Sequence, residues 1–508
     1  MIARKSALII FIQLLNGLLG YIALKFIALY MEPWEYGVVG FAYGFVALFS
    51  MFGVLGFDQA HIKRISEGKD LGTCIATFAV TKFFLAGLLA SIVIGFVAIW
   101  KYILGRGFES PLHEQAICIL LAYFVLLTLT QTFISTFNAR KESAKAQIPL
   151  LAYTLTRVVA TIYVAYNDLG PIALAYTYLI GEIFHFLLAL LFFRGYPVAR
   201  PSLACFKNYL SFAIHMAFAV FSWRIITNID KVFIQLFWSA QQVGEYFAVF
   251  NLSRFMLLLS NAVGILLLPT ISSYHSEGNM SKVKEITLKA ERYLSMITFP
   301  IVTSLVVLAY PVIHILLSDK YLPALPVLQI LPLFVLLDIL SRPYTQQLSG
   351  MNLPHFDRNR VVIMMVVNVF LNLILIPKDI RSLGIKLAGL GAEGAAIATV
   401  IAYAIGLVYI RLAAWKLTGV KGNYRIVFHI VASVITGLVL WLIKDVISIA
   451  RWYELLGVSL LGIGIYFAIL FLMREFTKED FDLFMDTLNV KKMLAYIKGE
   501  IKGEKDKY

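Results

Sequence analysis

The sequence is poor in charge and in cysteine. Only 15% of its 508 residues are Asp, Glu, Lys or Arg, against about 25% in soluble domains. A single water-soluble core stops growing at roughly 250–300 residues. A soluble chain of this length therefore needs two or more domains, each with more polar surface than this composition supplies. An ordinary soluble enzyme is excluded on that ground, and a hydrophobic content of 60% excludes disorder. The three cysteines, Cys74, Cys118 and Cys205, form no C-x-x-C and define neither a disulfide framework nor a metal site. The eight histidines are dispersed, so no metal and no cofactor is expected. Acid is scarcer than base, 30 Asp+Glu against 44 Lys+Arg, for a net charge of +14. In a soluble protein that excess would point to nucleic acid. In a membrane protein it must first be divided among loops, tail and bilayer interior.

What the sequence does have is long apolar runs. Arg4 and Lys5 precede one of about 25 residues, 6–30, too long for a signal h-region of 7–15 residues and long enough to span a bilayer. About 20 apolar residues cross the hydrocarbon, and fourteen stretches qualify: 6–30, 38–56, 73–100, 116–138, 148–166, 170–193, 208–237, 246–271, 293–316, 326–349, 361–376, 394–410, 427–443 and 453–473. They are too long and too uniformly apolar for barrel strands. The expected fold is an all-α polytopic membrane protein. With the N-terminus in the cytoplasm, the cytoplasmic loops carry 19 Lys/Arg and the external loops 8. That bias places both termini in the cytoplasm, and the protein in the cell (inner) membrane.

The chain carries signs of a repeat. Glu35-Tyr36-Gly37 follows the first span and Gln242-Val243-Gly244 the seventh; Ser66-Glu67-Gly68 follows the second and Ser276-Glu277-Gly278 the eighth. Copies of six spans each share one orientation, a known transporter plan. The expected divisions are 1–193 and 194–415 as six-helix bundles, 416–473 as two additional spans, and 474–508 as a cytoplasmic tail. In the tail, Thr477 and Asp480 form a capping box. Phe481, Phe484, Met485, Leu488, Leu494, Ile497 and Ile501 make an amphipathic stripe that packs on the loops or binds a partner or lipid surface.

Ten ionisable residues fall inside the expected spans: Lys25, Lys82, Arg157, Glu182, Arg224, Asp230, Lys231, Arg254, Asp338 and Arg342. Each costs about 2.5–3.5 kcal/mol near the bilayer centre and so turns toward protein or a wet cavity. Several share a helical face with other polar groups. One stripe is Arg224, Asn228, Lys231 and Gln235; the others are Asn251, Arg254 and Asn261, then Asp338, Arg342, Thr345 and Ser349, then Tyr178, Glu182 and His185. Seven are basic and three acidic, so mutual pairing leaves positive charge over. A cavity with that surplus prefers an anion, and the planar arginine fork suits phosphate. The expected substrate-binding residues are Lys25, Arg157, Arg224, Asn228, Lys231, Arg254 and Arg342. The expected ion-coupling residues, for H+ or Na+, are Glu182, Asp230 and Asp338. Asp338 and Arg342, four apart, can also simply neutralise each other. Lys25 and Lys82 can snorkel to headgroups.

Several motifs together resemble a known family. They are Glu32-Pro33-x-Glu35-Tyr36-Gly37, Asn228-x-Asp230-Lys231, Val243-Gly244-x-Tyr246, Leu268-Pro269, Ser318-Asp319-Lys320-Tyr321 with Ala324, and the run Gly389 to Ala396 entering the twelfth span. In this order they resemble the oligosaccharide flippases of the polysaccharide-biosynthesis transporters, relatives of multidrug and toxin (MATE) extruders and lipid II flippases, up to about residue 473. The resemblance implies two six-helix bundles in a V around a central cavity. It also implies transfer of an isoprenyl-(pyro)phosphate-linked oligosaccharide from the cytoplasmic to the outer leaflet, with membrane lipids and pathway glycosyltransferases or a polymerase as partners.

Other readings stay open beside it. A cation-coupled drug or metabolite exporter fits the same fold. A glycan polymerase or ligase needs a larger external loop than 101–115, whose Arg106, Glu109, His113 and Glu114 form no catalytic set; no enzyme activity is expected. The G-x-G-x-x-G from Gly389 to Gly394 precedes a spanning helix rather than following a strand and is read as a turn and tight packing. Divided by region, the +14 is +13 in cytoplasmic segments, −3 outside, zero in the tail and +4 within the spans.

Overall fold

The computed structural model describes residues 2–380, 385–444, 447, 449–477 and 480. Helices dominate because lipid offers backbone groups no partner. α1 (Ile2–Tyr30) leads into α2 (Pro33–Phe49). α2 opens with proline in its first turn, and Glu35 reaches back to accept from the Glu32 N–H at 2.8 Å. The span continues through α3 (Met51–Val54) and α4 (Phe57–Ser66), bent by 43°. Two consecutive left-handed residues, Leu55 and Gly56, separate α3 from α4. α5 (Leu71–Ala98), α6 (Pro111–Ala139), α7 (Ser143–Tyr166) and α8 (Gly170–Phe193) complete a first set.

The second set begins with α9 (Leu203–Phe237), bent by 52° after Ile214. α10 (Ala240–Arg254), α11 (Leu257–Ser276), α12 (Met280–Val307) and the short α13 (Ala309–Leu316) follow. After a 3-10 turn come α14 (Leu325–Ile330), α15 (Pro332–Gly350), α16 (His355–Leu375) and α17 (Gly391–Thr418). α18 (Ile426–Lys444) and α19 (Trp452–Leu472) close the chain of helices. A two-residue ribbon, β1 (Asp379–Ile380) with β2 (Ile385–Lys386), interrupts the otherwise helical architecture. Gly389 and Gly391 adopt left-handed conformations where the chain enters α17, and a Cβ on Gly394 would lie 2.7 Å from the Leu375 carbonyl. The G-x-G-x-x-G run is thus a turn and a packing surface.

Among the described residues, eleven helices are long and apolar enough to cross a membrane, thirteen if each of two bent pairs is one span. Fourteen spans were expected; the shortfall is the stretch 246–271, which divides into α10 and α11. There the backbone ladder tightens, Phe255 donating to Leu252 and Met256 to Ser253, beside the charged Arg254. Outward faces are apolar: Phe83 and Phe84 are 68% and 70% exposed, and Leu438, Leu442 and Leu460 also face out. This is a multi-pass membrane protein, with polar groups inside and hydrocarbon outside.

The sequence repeat has a structural counterpart. Glu67 and Glu277 cap their helices with nearly equal angles, each followed by a left-handed glycine, Gly68 or Gly278. The second span position of each set is broken midway. The other repeated motif marks where α2 meets α10. A Cβ on Gly37 would fall 1.7 Å from the Ala240 carbonyl oxygen, and one on Gly244 would fall 1.8 Å from that of Pro33. The two backbones touch, as small residues allow between membrane helices.

Midway along α12 the chain after α19 is clasped. Arg292 donates to Glu475 at 2.5 Å and to both Asp480 oxygens at 2.6 and 2.9 Å, and Tyr293 donates to Asp480 at 2.7 Å. Thr477 and Asp480 complete their expected capping box. Burial raises the Asp480 pKa, but these donors outweigh it and hold the carboxyl below its usual range. The clasp therefore loosens only as pH falls through that lowered value. The stripe from Phe481 to Ile501 lies outside the described residues.

Overpacking a helix contact costs about 1–3 kcal/mol or more. Gly37→Ala should lower the melting temperature of the purified protein by several degrees. Gly87→Ala, in α5 with nothing within 4 Å of the new Cβ, should leave it unchanged. Equal melting temperatures for the two variants would contradict the close approach of α2 and α10.

Candidate functional site

Between the two helix sets lies a cavity of about 1080 Å³. Arg157 of α7 and Tyr178 of α8 line it from one side. Arg224, Asn228 and Lys231 of α9, with Arg254 of α10, line it from the other, and Arg342 of α15 borders it too. Six of the seven substrate-binding candidates are therefore brought together. The helical spacing of Arg224, Asn228 and Lys231 does turn one face to the cavity; Gln235, at the end of that stripe, does not line it. The side chain of Asn261 is outside the described residues.

The lining contains two carboxylates, and both are engaged. Asp58 accepts a 2.5 Å ion pair from the buried Lys82, and Asp357 one of 2.9 Å from Arg360. Arg342 is neutralised by Asp338 at 2.9 Å. Among the described residues Arg157, Arg224, Lys231 and Arg254 form no ion pair within 4.0 Å. Arg157 instead stacks at 4.0 Å on the Tyr178 ring and donates to its hydroxyl at 3.1 Å. Its Nε is buried without a partner. Lys231 donates to the Thr227 carbonyl at 2.8 Å and sits 5.1 Å from the Phe250 ring, and Arg254 lies 5.4 Å from the same ring. Such cation–π contacts are worth about 0.5–2 kcal/mol each and leave the donors free. Four cations thus face one space with donors to spare.

Four candidates lie off the cavity lining. Lys25 donates to the carbonyls of Ile315 and Leu317 at 2.7 and 2.8 Å. Glu182 is buried behind the wall, accepting from Thr130 at 2.7 Å with His185 at 3.2 Å. Asp230, on the face of α9 away from Arg224, accepts from Tyr246, Asn372 and Thr399 at 2.6, 2.6 and 3.0 Å. Asp338 sits between Arg342 and Arg360. The tyrosines of the cavity were not anticipated, apart from Tyr178. Tyr36, Tyr43 and Tyr153 line it, and the Tyr43 and Tyr178 rings are 5.6 Å apart. A polar-tipped aromatic inside an expected span was the signal available for Tyr43 and Tyr153, whereas Tyr36 falls just before the span 38–56.

At one end of the cavity the two sets are tied together. Lys320 pairs with Glu32 at 2.9 Å, Ser318 donates to the Ala28 carbonyl at 2.6 Å, and Lys25 bonds the α13 terminus. Glu109 accepts from Gln235 at 2.6 Å and from the Ala240 N–H at 2.9 Å. Here also Gly37 meets Gly244. At the opposite end the lining reaches Asp58, Gln59 and Asp357. The first segment of α9 packs there on α4, where Tyr209 and His61 bond at 2.9 Å.

These features define a multi-pass helical membrane protein built around a central cationic cavity. The chain belongs to the polysaccharide biosynthesis protein family, which it matches over residues 27–326. It is 23% identical over 474 residues to the probable low-salt glycan biosynthesis flippase Agl15 of Haloferax volcanii, across 92% of this chain and 94% of that protein. Among solved structures it resembles the lipid II flippase MurJ in an inward closed conformation, with a TM-score of 0.73 at 17% identity over 92% of this chain and 98% of that one. It also resembles an inward-facing MATE multidrug transporter of the MOP superfamily, with a TM-score of 0.64 at 18% identity over 80% and 96%. The fold is therefore that of the MurJ and MATE proteins.

If the ties hold their end shut, removing them should expose the cavity. In a variant with Cys74, Cys118 and Cys205 replaced by serine and Asn251→Cys added, Glu109→Ala with Lys320→Ala should raise labelling by a membrane-impermeant maleimide applied at the tied end several-fold. Unchanged labelling would show that these bonds do not control access.

Proposed function

We propose that the protein is a flippase that carries a lipid-linked oligosaccharide, joined to its isoprenoid through phosphate or pyrophosphate, from the cytoplasmic to the outer leaflet for cell-surface glycan assembly. The observation that carries this reading is the set of four cations without ion-pair partners, Arg157, Arg224, Lys231 and Arg254, facing one cavity between the helix sets. Arginine forks hold phosphate oxygens in pairs, while the isoprenoid stays in the bilayer. Family membership and the similarity to a glycan flippase support the same direction. Both termini lie in the cytoplasm of the cell membrane, the tied end faces outward, and the cavity loads from the cytoplasmic side. The halves 1–193 and 194–415 rock about the α2–α10 contact, with 416–473 as an appendage. No covalent chemistry is assigned: Glu109 holds α10, Glu114 pairs with Lys101 at 2.7 Å, and His113 bonds Ser110 at 3.0 Å.

Coupling to H+ or Na+ falls to the buried carboxylates. Asp338 is already shared by two arginines and is the poorest of them. Glu182 and Asp230 are held by neutral donors and are the better candidates. Their presence favours the second reading as well, a cation-coupled exporter on the same fold.

Replacing both Arg224 and Arg254 with alanine should reduce glycan export at least tenfold in a strain that depends on this protein, with the lipid-linked precursor accumulating and the protein still present in the membrane. Undiminished export would remove these residues from the site. Drug resistance on expression, with surface glycans unaltered, would favour the exporter.

A further inference from the structure

We propose that a second cavity, beside the first, binds the phosphate of a lipid headgroup at the membrane face. It measures about 480 Å³ and lies between Tyr21 and Lys25 of α1, the end of α13 at His314 to Leu316, and the start of α19 at Ala450 to Tyr453. Two fixed cations border it. The Lys25 ammonium spends two of its three N–H groups on the Ile315 and Leu317 carbonyls. Arg451 forms no ion pair within 4.0 Å among the described residues, and one of its donors goes to the Tyr453 hydroxyl at 2.6 Å. Glu454, the nearest acid on α19, is occupied by the backbone N–H groups of Ala450 and Arg451 at 2.8 and 2.9 Å. His314 is matched by Asp319 at 2.5 Å.

The depth of the cavity selects a lipid over a soluble anion. Lys25 lies five residues before the end of α1 at Tyr30, about 7.5 Å along the axis. Trp452 and Tyr453 pack edge to face at 5.8 Å, and Tyr310 stacks on His314 at 6.2 Å. Exposed aromatics with polar tips beside cations mark the headgroup layer.

Tyr21 lines both cavities and donates to the Leu316 carbonyl at 3.4 Å, so one side chain stands between them. When the tied end parts, Lys25 must leave its two carbonyls. A phosphate here supplies the replacement acceptor. This release role rests on the flippase reading, but the binding itself does not.

The test uses the full chain in dodecyl maltoside micelles, whose headgroups carry no phosphate, with the emission of Trp452 isolated as the difference from Trp452→Phe. Farnesyl phosphate should shift that emission saturably, whereas farnesol and inorganic phosphate at equal concentration should not. Arg451→Gln, on an exposed residue, should raise the half-saturating concentration at least tenfold. An equal response to inorganic phosphate would make this a free-anion site, and an equal response to farnesol a merely apolar one; either overturns the proposal, as does an unaltered Arg451→Gln titration. The Arg224→Ala, Arg254→Ala double variant should keep the Trp452 response. If export proves independent of the central arginines while this response persists, the binding site stands and its role in release falls.

Discussion

The backbone contact between α2 and α10 is the constraint on which the rest of the geometry depends. Gly37 and Gly244 come from corresponding motifs of the repeat, and each sits where a side chain would strike the other helix's carbonyl. In lipid there is no hydrophobic drive between helices, so small residues and close packing supply the attraction. The same face of α2 continues with Gly40 against Phe247 and Gly44 against Lys231. Below that, α2, α3 and α4 line the cavity with Tyr43, Val54 and Asp58, and α10 lines it with Phe250, Asn251 and Arg254. One pair of glycines thus closes one end and leaves the other to be lined by side chains.

The charges follow from that space. A cation in a spanning helix is tolerable only with a partner or with water. Lys82 has Asp58, and Arg342 has Asp338. Arg157, Lys231 and Arg254 rely on tyrosine, phenylalanine and a backbone carbonyl. These neutral partners orient the groups without neutralising them. A bound anion in such a partly desolvated site interacts more strongly than it would in water. The intramembrane surplus of four positive charges in the sequence therefore has a location.

Much of this was legible from the residues. Apolar runs mark most spans because burial in lipid is uniform along them, and the 3.6-residue period places Arg224, Asn228 and Lys231 on one face before any tertiary contact is known. Breaks inside a span were not legible, because an apolar average runs straight across them. The junction at Arg254 to Leu257 lies inside the expected span 246–271, whereas Leu55 and Gly56 fall at the end of the expected span 38–56, where the polar α4 begins. The role of Lys25 was also hidden: its partners are main-chain carbonyls some 290 residues away, which no side-chain pattern reveals. Asp230 was expected as an ion-coupling carboxylate, and its own helix could not show its donors, because Tyr246, Asn372 and Thr399 belong to three other helices. Polar residues on one helix announce that they are needed, but not what they meet.

A ligand shifts a conformational balance only through its different affinities for the two states. Arg157 stands on the first helix set, whereas Arg224, Lys231 and Arg254 stand on the second. An anion held by both sets binds best when they converge on it, and an empty cavity leaves like charges facing each other. A bound anion offsets that repulsion. The ties at the glycine end of the cavity are a handful of exposed or half-buried bonds, and such exposed pairs are individually weak, about 0–1 kcal/mol. On the proposed flippase reading, weak ties beside a close glycine contact suit a pivot that releases and reforms in each cycle. A tie end built from buried ion pairs, like the Arg292 clasp on Glu475 and Asp480, would cost about 3–5 kcal/mol per broken partner and would lock it. Among the described residues, the buried pairs Lys82–Asp58 and Arg292–Glu475 do not join the two helix sets, whereas the exposed Lys320–Glu32 pair does.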